Sequence, residues 1–537
     1  MDGTVTADPR RVLEAIPWAE RTLARLVQPR PGRDPDRVAV EVAGTALSWR
    51  DLNERSATLA AGLAAIGIRR GDVVHQVAGN TPGHVIRIFA LARLGAIECP
   101  VNVALRGEPL RHVLTHSQAK AMMVEPAYLD RVGDALPPGQ GADLVVVPGG
   151  VADLPGRRVL AEEDLPPGPA GDTVVSPSDP ATLLYTSGTT GRAKGVLHAH
   201  HFAFATAAVK IGVWGLSPED VLFSPLPLFH ANARYSTLLT ACVLGARAVV
   251  VERFSASRFW DQVRATGATE VGTVGTVAPI LLERPEHPDD RNHRVRMLHG
   301  AGALPPERRA EFERRFGVRV VTGFSMTETS HVATTSPEDP GRYRGAGRPV
   351  PGFRIAILDD NDRALPPGEV GEIAIRPQLP YAMLLGYHRD EPATLAAFRN
   401  LWFHTGDLGR LDSDGYLHWT DRRKDTIRRR GEMISSADVE AAASAHAAVA
   451  AAAAIAVPGD LGEDEVLLVV TARDGARIDP RALLAHCRVS LPDFAVPRYY
   501  RVVAELPRNA THKVDKAELR RQGLTAETWD AAAPDGG

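Results

Sequence analysis

The sequence predicts an α/β protein: a large N-terminal domain of helix-covered sheets plus a β-rich subdomain, followed by a small α/β C-terminal domain. The chain has 537 residues, which is more than a single hydrophobic core usually supports. Short β-branched runs alternate with longer amphipathic patterns, as in parallel sheets covered by helices. Between residues 352 and 421 the apolar runs become short and are separated by Pro-Gly and Asp-Gly turns, which indicates the β-rich subdomain.

The individual elements are predicted from hydrophobic periodicity and from the Gly and Pro residues that interrupt it. The predicted elements are a strand pair at 37–44, a helix at 48–67, a strand at 72–79, a helix at 81–95, a strand at 181–185, and at 447–457 a buried helix that runs into a strand. This order predicts that the strand at 181–185 delivers a glycine-rich loop to the end of a sheet.

The basic run "DRRKDTIRRRGEM" at 421–433 interrupts the alternation. We therefore predict a domain boundary within 422–424. The predicted divisions are an N-terminal domain at 1–422, a C-terminal domain at 423–525 and a frayed tail at 526–537.

Composition excludes several classes of function. The net charge is -3 and the pI is near 6.7, so a polyanion such as nucleic acid is not expected as the main partner. Three scattered cysteines, Cys99, Cys242 and Cys487, form no metal-ligand spacing and no disulfide framework. We see no signal peptide and no membrane span. These features predict a cytoplasmic protein.

One stretch has the composition of an anion-binding loop. "YTSGTTGRAKG", from Tyr185 to Gly195, combines three glycines with hydroxyl residues and a lysine. Glycines let backbone N–H groups approach an anion, and hydroxyl and ammonium groups add donors. The spacing differs from the common nucleotide P-loop. The stretch alone leaves two interpretations open, a phosphate-binding loop and a mobile surface loop.

Three further motifs occur with this loop, in order: "GFSMTETS" at 323–330, "FHTGDLGRLDSDGYLHWTDRRKD" at 403–425 and "PRNATHKVDK" at 507–516. Together they resemble the adenylate-forming (ANL) superfamily of acyl-CoA synthetases, over about residues 35–520. "SPLPLFHANAR", "FSASRFWDQV" and "GRPVPGFRIAILDD" are similar to the carnitine/crotonobetaine-CoA ligase branch. The resemblance implies the ANL fold with a mobile C-terminal domain.

The resemblance also implies an AMP-forming acid–CoA ligase. A small or medium carboxylic acid attacks the α-phosphate of ATP, giving acyl-AMP and pyrophosphate, and the thiol of CoA then takes the acyl group. The implied cofactors are ATP, Mg²⁺ and CoA, or the phosphopantetheine of a carrier protein.

The resemblance assigns the phosphate and metal contacts. The loop residues assigned to the β- and γ-phosphates are Thr186, Ser187, Gly188, Thr189, Thr190, Gly191 and Lys194. Thr327 matches the contact to the α-phosphate, and Glu328 matches the Mg²⁺ ligand. Carboxylate oxygen suits a hard cation. The alternative is that Thr327 and Glu328 only cap a helix.

Nucleoside contacts are carried over in the same way. Gly300, Ala301 and Gly302 match one side of the adenine slot and Phe324 matches the other. Asp407 and Arg422 match the ribose contacts. The alternatives are ordinary core packing for Phe324 and a turn-forming role for Asp407.

The mobile domain contributes three candidates. Lys513 matches the lysine that stabilises charge during adenylation, although His512 stands where the family usually has glycine. Lys424 matches the hinge about which the domain swings between half-reactions. Gly431 matches the position lining the path of the CoA thiol, but the neighbouring Arg430 and Met433 depart from the family pattern. The alternative for Lys513 is a solvated surface lysine.

The acid pocket is the least determined part. The candidates are His230, Asn232, Ala233, Arg234, Gly275 and Thr276. His230 matches the gate beside the carboxylate; the alternative is a core histidine. The Arg234 guanidinium would suit a second anionic group, and the alternative is that it turns outward.

Other functions remain open at this stage. One alternative keeps the fold but passes the activated acid to a carrier protein or an amine, including activation of nitrite for diazotisation. Another is a non-catalytic nucleotide-binding protein. A homodimer is common among relatives, and the sequence does not identify the acid.

Overall fold

The structure is a computed structural model. It describes residues 8–150, 154–168, 173–186, 193–275, 277–300, 304–422, 425, 427–429, 432–459, 464–509 and 513–532, without the side chains at 428, 432 and 433. All statements below concern these residues.

The helices alternate with strands through most of the chain. In chain order they are α1 (Pro9–Glu14), α2 (Leu23–Val27), α3 (Trp49–Ala65), α4 (Pro82–Leu94), α5 (Gly107–His116), α6 (Leu129–Ala135), α7 (His201–Trp214), α8 (Thr240–Leu244), α9 (Phe259–Thr266), α10 (Val277–Leu282), α11 (Pro306–Phe316), α12 (Glu391–Ala397), α13 (Ser436–Ser444), α14 (Pro480–Ser490) and α15 (Lys516–Gln522). A π-helix, Asn232–Leu239, leads directly into α8.

The strands of the first half build the two large sheets. In chain order they are β1 (Val38–Val42), β2 (Thr45–Ser48), β3 (Val73–Val77), β4 (Ile97–Pro100), β5 (Ala121–Val124), β6 (Leu144–Val147), β7 (Arg158–Ala161), β8 (Pro180–Tyr185), β9 (Gly195–Ala199), β10 (Val221–Ser224), β11 (Arg247–Val250), β12 (Glu270–Gly272), β13 (Met297–His299) and β14 (Arg319–Val321).

The strands of the second half are mostly antiparallel. They are β15 (Gly323–Met326), β16 (Ser330–Thr334), β17 (Arg348–Pro349), β18 (Phe353–Leu358), β19 (Gly371–Pro377), β20 (Gly386–Tyr387), β21 (Phe403–Leu411), β22 (Leu417–Arg422), β23 (Ile427–Arg429), β24 (Glu432–Ile434), β25 (Val449–Pro458), β26 (Asp464–Ala472), β27 (Tyr499–Val503) and β28 (Trp529–Asp530).

Two large sheets form the N-terminal part. One has the order β14-β13-β12-β10-β11-β1-β2 and the other β20-β9-β8-β4-β3-β5-β6-β7. Pairing is parallel except for β2 on β1 and for β9, which is antiparallel to β8 and to β20. One large apolar cluster, with members from α3, α4, α7 and both sheets, fills the space between these layers. This arrangement buries the near-continuous apolar strands of both sheets.

The β-rich subdomain is present as predicted. β18, β19, β21 and β22 form an antiparallel sheet in that order, and β15, β16 and β17 form a smaller one. The C-terminal part is a separate sheet, β25-β26-β27-β28, whose two apolar clusters include residues of α13, α14 and α15.

Local signals explain several boundaries. α3 starts at a capping box in which the Ser48 hydroxyl accepts from the Asp51 backbone N–H at 3.0 Å and the Asp51 carboxylate accepts from the Ser48 N–H at 2.8 Å; both orphan donors are thereby satisfied. The predicted strand pair at 37–44 is instead one strand and a turn, because its partner β2 begins at Thr45.

Two predictions about the C-terminal part are wrong. The alanine-rich run at 447–457 contributes no helix; it lies mostly in β25, antiparallel to the apolar β26. Alanine's helix preference is small, under about 1 kcal/mol per residue, and burial of the β25–β26 pair overrides it. The predicted tail at 526–537 includes β28, where Trp529 packs on Tyr500 and Asp530 pairs with Arg498 at 3.0 Å. The domain boundary within 422–424 stays a prediction.

In the part of the chain that the structure describes, no helix is long and apolar enough to span a bilayer. The three cysteines are buried and unbridged. Burial raises the pKa of the Cys487 thiol to about 11, which makes it a poor nucleophile.

Candidate active site

The predicted pocket loop and adenine loop leave the same edge of a sheet. Gly272 ends β12 and lies in register with His299, which ends β13. The loops that begin at Thr273 and Gly300 therefore emerge together, at the carboxyl ends of parallel strands, where α/β proteins bind ligands. Asn232 joins them, because its side-chain amide donates to the Thr273 carbonyl at 3.0 Å.

Gly300 is required by this close approach. Its φ is +92°, and a Cβ at this position would collide with the Thr273 carbonyl. Only glycine adopts this backbone conformation without strain and leaves the two loops in contact. The residue type predicted for the adenine slot is thus explained by packing, independently of any ligand.

The ends of the glycine-rich loop are tied to each other. The Thr186 N–H donates to the Lys194 carbonyl at 2.9 Å, so the loop closes on itself after β8. The Lys194 ammonium lies 4.7 Å from the centroid of the Tyr387 ring, within the range of a cation–π contact. This contact places the lysine beside the next predicted residue, Glu328.

Glu328 is buried at the turn between β15 and β16. The Tyr387 hydroxyl donates to its Oε1 at 3.0 Å. Burial raises the pKa of the Glu328 carboxyl, and Arg422 and Lys194 oppose that shift. The preceding carbonyl, of Thr327, pairs with His198 Nε2 at 2.8 Å. These residues form a hairpin turn, so the helix-cap alternative is wrong.

Asp407 and Arg422 face each other across two antiparallel strands. Their Cα atoms are in register on β21 and β22, and Arg422 Nε lies 3.0 Å from Asp407 Oδ1. Asp407 is buried inside a strand, so its alternative role as a turn former is wrong. The pair aligns a carboxylate and a guanidinium side by side, as contacts to vicinal hydroxyls require.

Lys513 belongs to the C-terminal part of the chain, yet its charge acts on the N-terminal site. Its loop is closed by two hydrogen bonds with Asn509: the Asn509 N–H donates to the Lys513 carbonyl at 2.8 Å, and the Lys513 N–H donates to the Asn509 side chain at 3.1 Å. The pKa of Lys513 is lowered by desolvation and by the nearby Arg422, and Asp407 partly offsets both. Lys513 is exposed, and its charge lies close to the Asp407–Arg422 pair.

His230 lies near the same lysine. Burial, with a further contribution from the Lys513 charge, lowers the pKa of the His230 imidazole to about 4. The ring is therefore neutral at physiological pH, since its pKa is well below 7. The candidates Lys194, Glu328, Asp407, Arg422, Lys513 and His230 thus form one electrostatically connected group.

The side chains of two candidates, Phe324 and Arg234, are held by contacts with other residues of the protein. Phe324 is 7% exposed and belongs to the apolar cluster that includes Val196 and Val332, as expected for ordinary core packing. Arg234 is fully buried in the π-helix, and its guanidinium makes two hydrogen bonds to the Glu98 carboxylate, at 2.5 and 2.7 Å. The outward orientation of Arg234 is wrong, and Glu98 already neutralises its charge.

The remaining pocket candidates lie nearby. Ala233 is buried next to Arg234, and Gly275 is half-buried in the loop after β12. Other predicted residues lie outside the described residues: Ser187, Gly188, Thr189, Thr190, Gly191, Thr276, Ala301, Gly302, Lys424, Arg430 and Gly431, together with the side chain of Met433.

Sequence reasoning missed Tyr387 and His198. Tyr387 links Lys194 to Glu328, and its strand β20 pairs with β9 directly after Lys194. His198 supports the turn through the Thr327 carbonyl and also contacts the Tyr235 hydroxyl at 3.2 Å. Tyr387 lies almost 200 residues from Lys194, so no local pattern relates them; the only signal was an isolated aromatic residue between polar ones.

The donor set suits Mg²⁺ with a nucleotide. In the described part of the chain, no group of three or more His, Cys, Asp or Glu side chains could hold a metal ion. Glu328 instead supplies a single buried carboxylate beside cationic groups. Mg²⁺ is commonly bound in this way, by one or two carboxylates together with substrate phosphates.

Comparison with known proteins identifies the family. Residues 27–388 match the family described as AMP-binding enzyme, and residues 438–513 match its C-terminal domain. The chain belongs to the AMP-binding enzyme family. The predicted ANL membership and fold class are confirmed.

Similar proteins include several CoA ligases. Sulfoacetate–CoA ligase of Cupriavidus necator is 33% identical over 505 residues, covering 93% of this chain and 97% of the relative. Crotonobetaine/carnitine–CoA ligase of Salmonella agona is 31% identical, covering 88% and 93%. The o-succinylbenzoate CoA synthetase of Bacillus subtilis, solved with its acyl-adenylate intermediate, has a TM-score of 0.79 at 26% identity, covering 90% and 96%; it has also been solved with ATP and magnesium ion.

The environment of Lys513 predicts an alkaline limit for adenylation. A lysine that acts as a cation must stay protonated, and its pKa here is lowered from 10.5 by desolvation and Arg422. The rate of acid-dependent ATP–pyrophosphate exchange should therefore fall as the pH rises, starting below pH 10.5. Lys513→Arg keeps its charge throughout this range, so the fall should disappear in that variant, whatever its absolute rate. An identical alkaline limb in Lys513→Arg would contradict this assignment.

Proposed function

We propose that this protein adenylates a small carboxylic acid with ATP and Mg²⁺ and then transfers the acyl group to the thiol of CoA. The reaction class, an AMP-forming acid–CoA ligase, is confirmed by the family and by relatives named as CoA ligases. One structural observation supports the roles of the individual residues: Lys513 lies close to Asp407, Arg422 and His230 although about 90 residues separate it from the nearest of them.

Adenylation requires two anions to meet. A carboxylate oxygen of the acid attacks the α-phosphorus of ATP, an acyl-phosphate bond forms, and the bond to pyrophosphate breaks. Lys194 and the glycine-rich loop would bind the β- and γ-phosphates, and Glu328 would hold Mg²⁺, which offsets negative charge on the phosphates. Tyr387 orients Glu328 for this role through its 3.0 Å hydrogen bond.

Binding of the nucleoside would fix the α-phosphate in place. Asp407 accepts hydrogen bonds from ribose hydroxyls, and Arg422, 3.0 Å away, holds that carboxylate in position. The loop after Gly300 would contact adenine. Positioning of this kind accounts for a large part of the rate in phosphoryl and nucleotidyl transfer.

Lys513 then acts on the reacting atoms. Its ammonium would bridge the acid carboxylate and the α-phosphate and stabilise charge that develops between them. His230 is neutral and lies near Lys513. It can therefore line the carboxylate site without adding a competing charge. In the second half-reaction the thiolate attacks the acyl carbon and AMP leaves, and Lys513 is no longer needed; rotation about Lys424 would remove it.

The relatives support a short acid with a polar end. Sulfoacetate and crotonobetaine are the acids in the names of two relatives, and both are small. A carrier protein or an amine as acceptor, a homodimer and a cytoplasmic location stay predictions. The departures at Arg430 and Met433 keep the acceptor open.

A single assay tests the proposal. Purified enzyme is supplied with ATP, Mg²⁺ and a panel of short acids, and acid-dependent pyrophosphate release and AMP formation are measured with and without CoA. CoA-dependent AMP formation supports the ligase. Accumulation of adenylate despite CoA would favour another acceptor, and no turnover with any acid, including nitrite with an aryl amine, would overturn adenylation as the function.

A further inference from the structure

A second polar group is buried behind the candidate active site. Five side chains from α7, the π-helix, β12, β13 and β16 make up this group, here called the Lys210–Glu270 cluster: Lys210, Thr237, Glu270, His299 and His331. All five are at least nine-tenths buried; Lys210, Thr237 and Glu270 are fully buried. None of them has a role in the adenylation chemistry above.

Most polar atoms of the cluster lack a hydrogen-bond partner among the residues that the structure describes. They are Lys210 Nζ, Thr237 Oγ1, both carboxylate oxygens of Glu270, both ring nitrogens of His299 and Nδ1 of His331. Each buried unsatisfied group costs about 1–3 kcal/mol, and native proteins rarely leave several together. The cluster therefore offers hydrogen-bond donors and acceptors to a ligand.

The side chains converge on one another. His299 Nε2 lies 3.0 Å from Glu270 Oε1 without the alignment of a hydrogen bond. Lys210 Nζ lies 4.1 Å from the centroid of the Trp214 ring, and that ring contacts His299 and His331 with centroids 4.9 and 5.4 Å apart. Trp214 thus contacts the ammonium and both imidazoles.

The cluster adjoins the predicted acid pocket. Glu270 and His299 lie on the strands whose next residues enter the pocket and adenine loops, and the Thr273 hydroxyl donates to the His299 carbonyl at 2.8 Å. Thr237 lies on the same π-helix as Asn232. π-helical segments are rare and frequently occur at functional sites. The cluster is therefore next to the residues of the predicted acid pocket.

The charges of the cluster nearly cancel. Desolvation lowers the pKa of Lys210 to about 7 and raises that of Glu270 to about 8, and each partly offsets the other's shift. Burial lowers the pKa of His299 and of His331 well below the usual value, so both rings are neutral. A ligand with a net charge at this end would be buried without a counter-charge, which is costly. A neutral group that both donates and accepts hydrogen bonds is matched.

We propose that the Lys210–Glu270 cluster binds the distal end of the acid and selects acids whose tail carries an uncharged hydrogen-bonding group, such as a hydroxyl or an amide. This inference rests on the proposed function and specifies its substrate class. A site that hydrogen-bonds a substrate hydroxyl discriminates strongly against an analogue that lacks it, since its own polar groups are then left unpaired.

The test compares acids of equal size. ω-Hydroxy acids, n-alkyl acids with the same number of non-hydrogen atoms, and α,ω-diacids of similar length are supplied across a range of short chains, and kcat/KM is measured from pyrophosphate release. We expect the hydroxy acid to exceed its alkyl match by at least about tenfold at the optimal length. Equal kcat/KM for the hydroxy acid and its alkyl match would overturn the inference, since ordered water alone would then satisfy the cluster. A preference for the diacid would also overturn it.

Variants locate the selectivity. In Lys210→Met/Glu270→Met the preference should fall to about one while the alkyl acid is still turned over; replacing two buried groups of opposite charge together by apolar residues is often neutral for stability. The matched control is Asp290→Asn/Arg315→Met, which removes an acid–base pair outside the cluster (2.7 Å apart) and should leave the preference unchanged. A preference that survives in the cluster variant overturns the inference.

The two proposals fail differently. Absence of pyrophosphate release with every acid contradicts adenylation and removes the basis of the inference. Release without selectivity for hydroxyl or amide tails leaves adenylation intact and contradicts the role of the cluster. The comparison on the unaltered enzyme needs no variant, so poor folding of a variant does not prevent a decision.

Discussion

Replacing Lys513 with alanine is expected to lower the rate of adenylation by about 100-fold or more, since removal of one preorganised donor to a transition state typically costs 10²–10³ in kcat. Thioester formation from preformed acyl-AMP should remain largely intact. The physical reason is that the ammonium stabilises charge only while the carboxylate attacks phosphorus. The pKa of Lys513 is lowered by desolvation and by Arg422, and Asp407 opposes that shift, which places the ammonium near these two residues.

The measurement separates the half-reactions. ATP–pyrophosphate exchange reports adenylation, and the release of AMP from added acyl-AMP and CoA reports transfer. Lys120→Ala, which removes an exposed lysine away from these residues, is the control and should change neither. Equal loss of both half-reactions in Lys513→Ala would contradict a role restricted to adenylation.

Breaking the Arg234–Glu98 pair is expected to have the largest effect on stability. Arg234→Met leaves the Glu98 carboxylate buried at 2% exposure without its main partner. Removing one member of a buried ion pair typically destabilises a protein by about 3–5 kcal/mol. His84, whose Nε2 lies 3.4 Å from the guanidinium, does not replace it, because burial is the largest cause that holds the pKa of His84 well below the usual value, and burial remains when Arg234 is removed.

A double variant tests the cause of that loss. Arg234→Met/Glu98→Gln removes both charges, and we expect its urea midpoint to recover most of the difference from the parent. Arg50→Met, which disrupts an exposed pair with Asp36, should leave the midpoint unchanged, as surface pairs contribute little. If the double variant is as unstable as Arg234→Met alone, loss of packing rather than an unpaired carboxylate is responsible.

Much of the fold was predictable because it depends on local pattern. The capping box of Ser48 and Asp51, the stop after α4 at Gly95 and the short strands between 353 and 422 all follow from residues close together in the chain. The alanine-rich β25 was not predictable. Its strand pairing depends on β26, and no property of the alanine run itself specifies that partner.

The candidate site residues also differ in whether local sequence or distant partners define them. Motifs identified Asp407, Arg422 and Lys513, because each motif carries its chemistry in a few consecutive residues. Tyr387 was missed because its partners Glu328 and Lys194 are far away in sequence. The sequence left several roles open for Arg234. In the structure it pairs with Glu98, which is 136 residues away, and this contact is internal to the protein.

The sequence by itself determined the family and the order of most of its elements, and its short motifs with fixed spacing predicted the reacting groups. Only the tertiary structure decided which charges neutralise one another and which are left for a substrate. Arg234 and Lys210 are both buried basic residues on helices, but Arg234 makes two hydrogen bonds to a carboxylate, whereas Lys210 Nζ has no hydrogen-bond partner among the described residues. That difference arises from distances across strands and helices far apart in the chain, which no local pattern encodes.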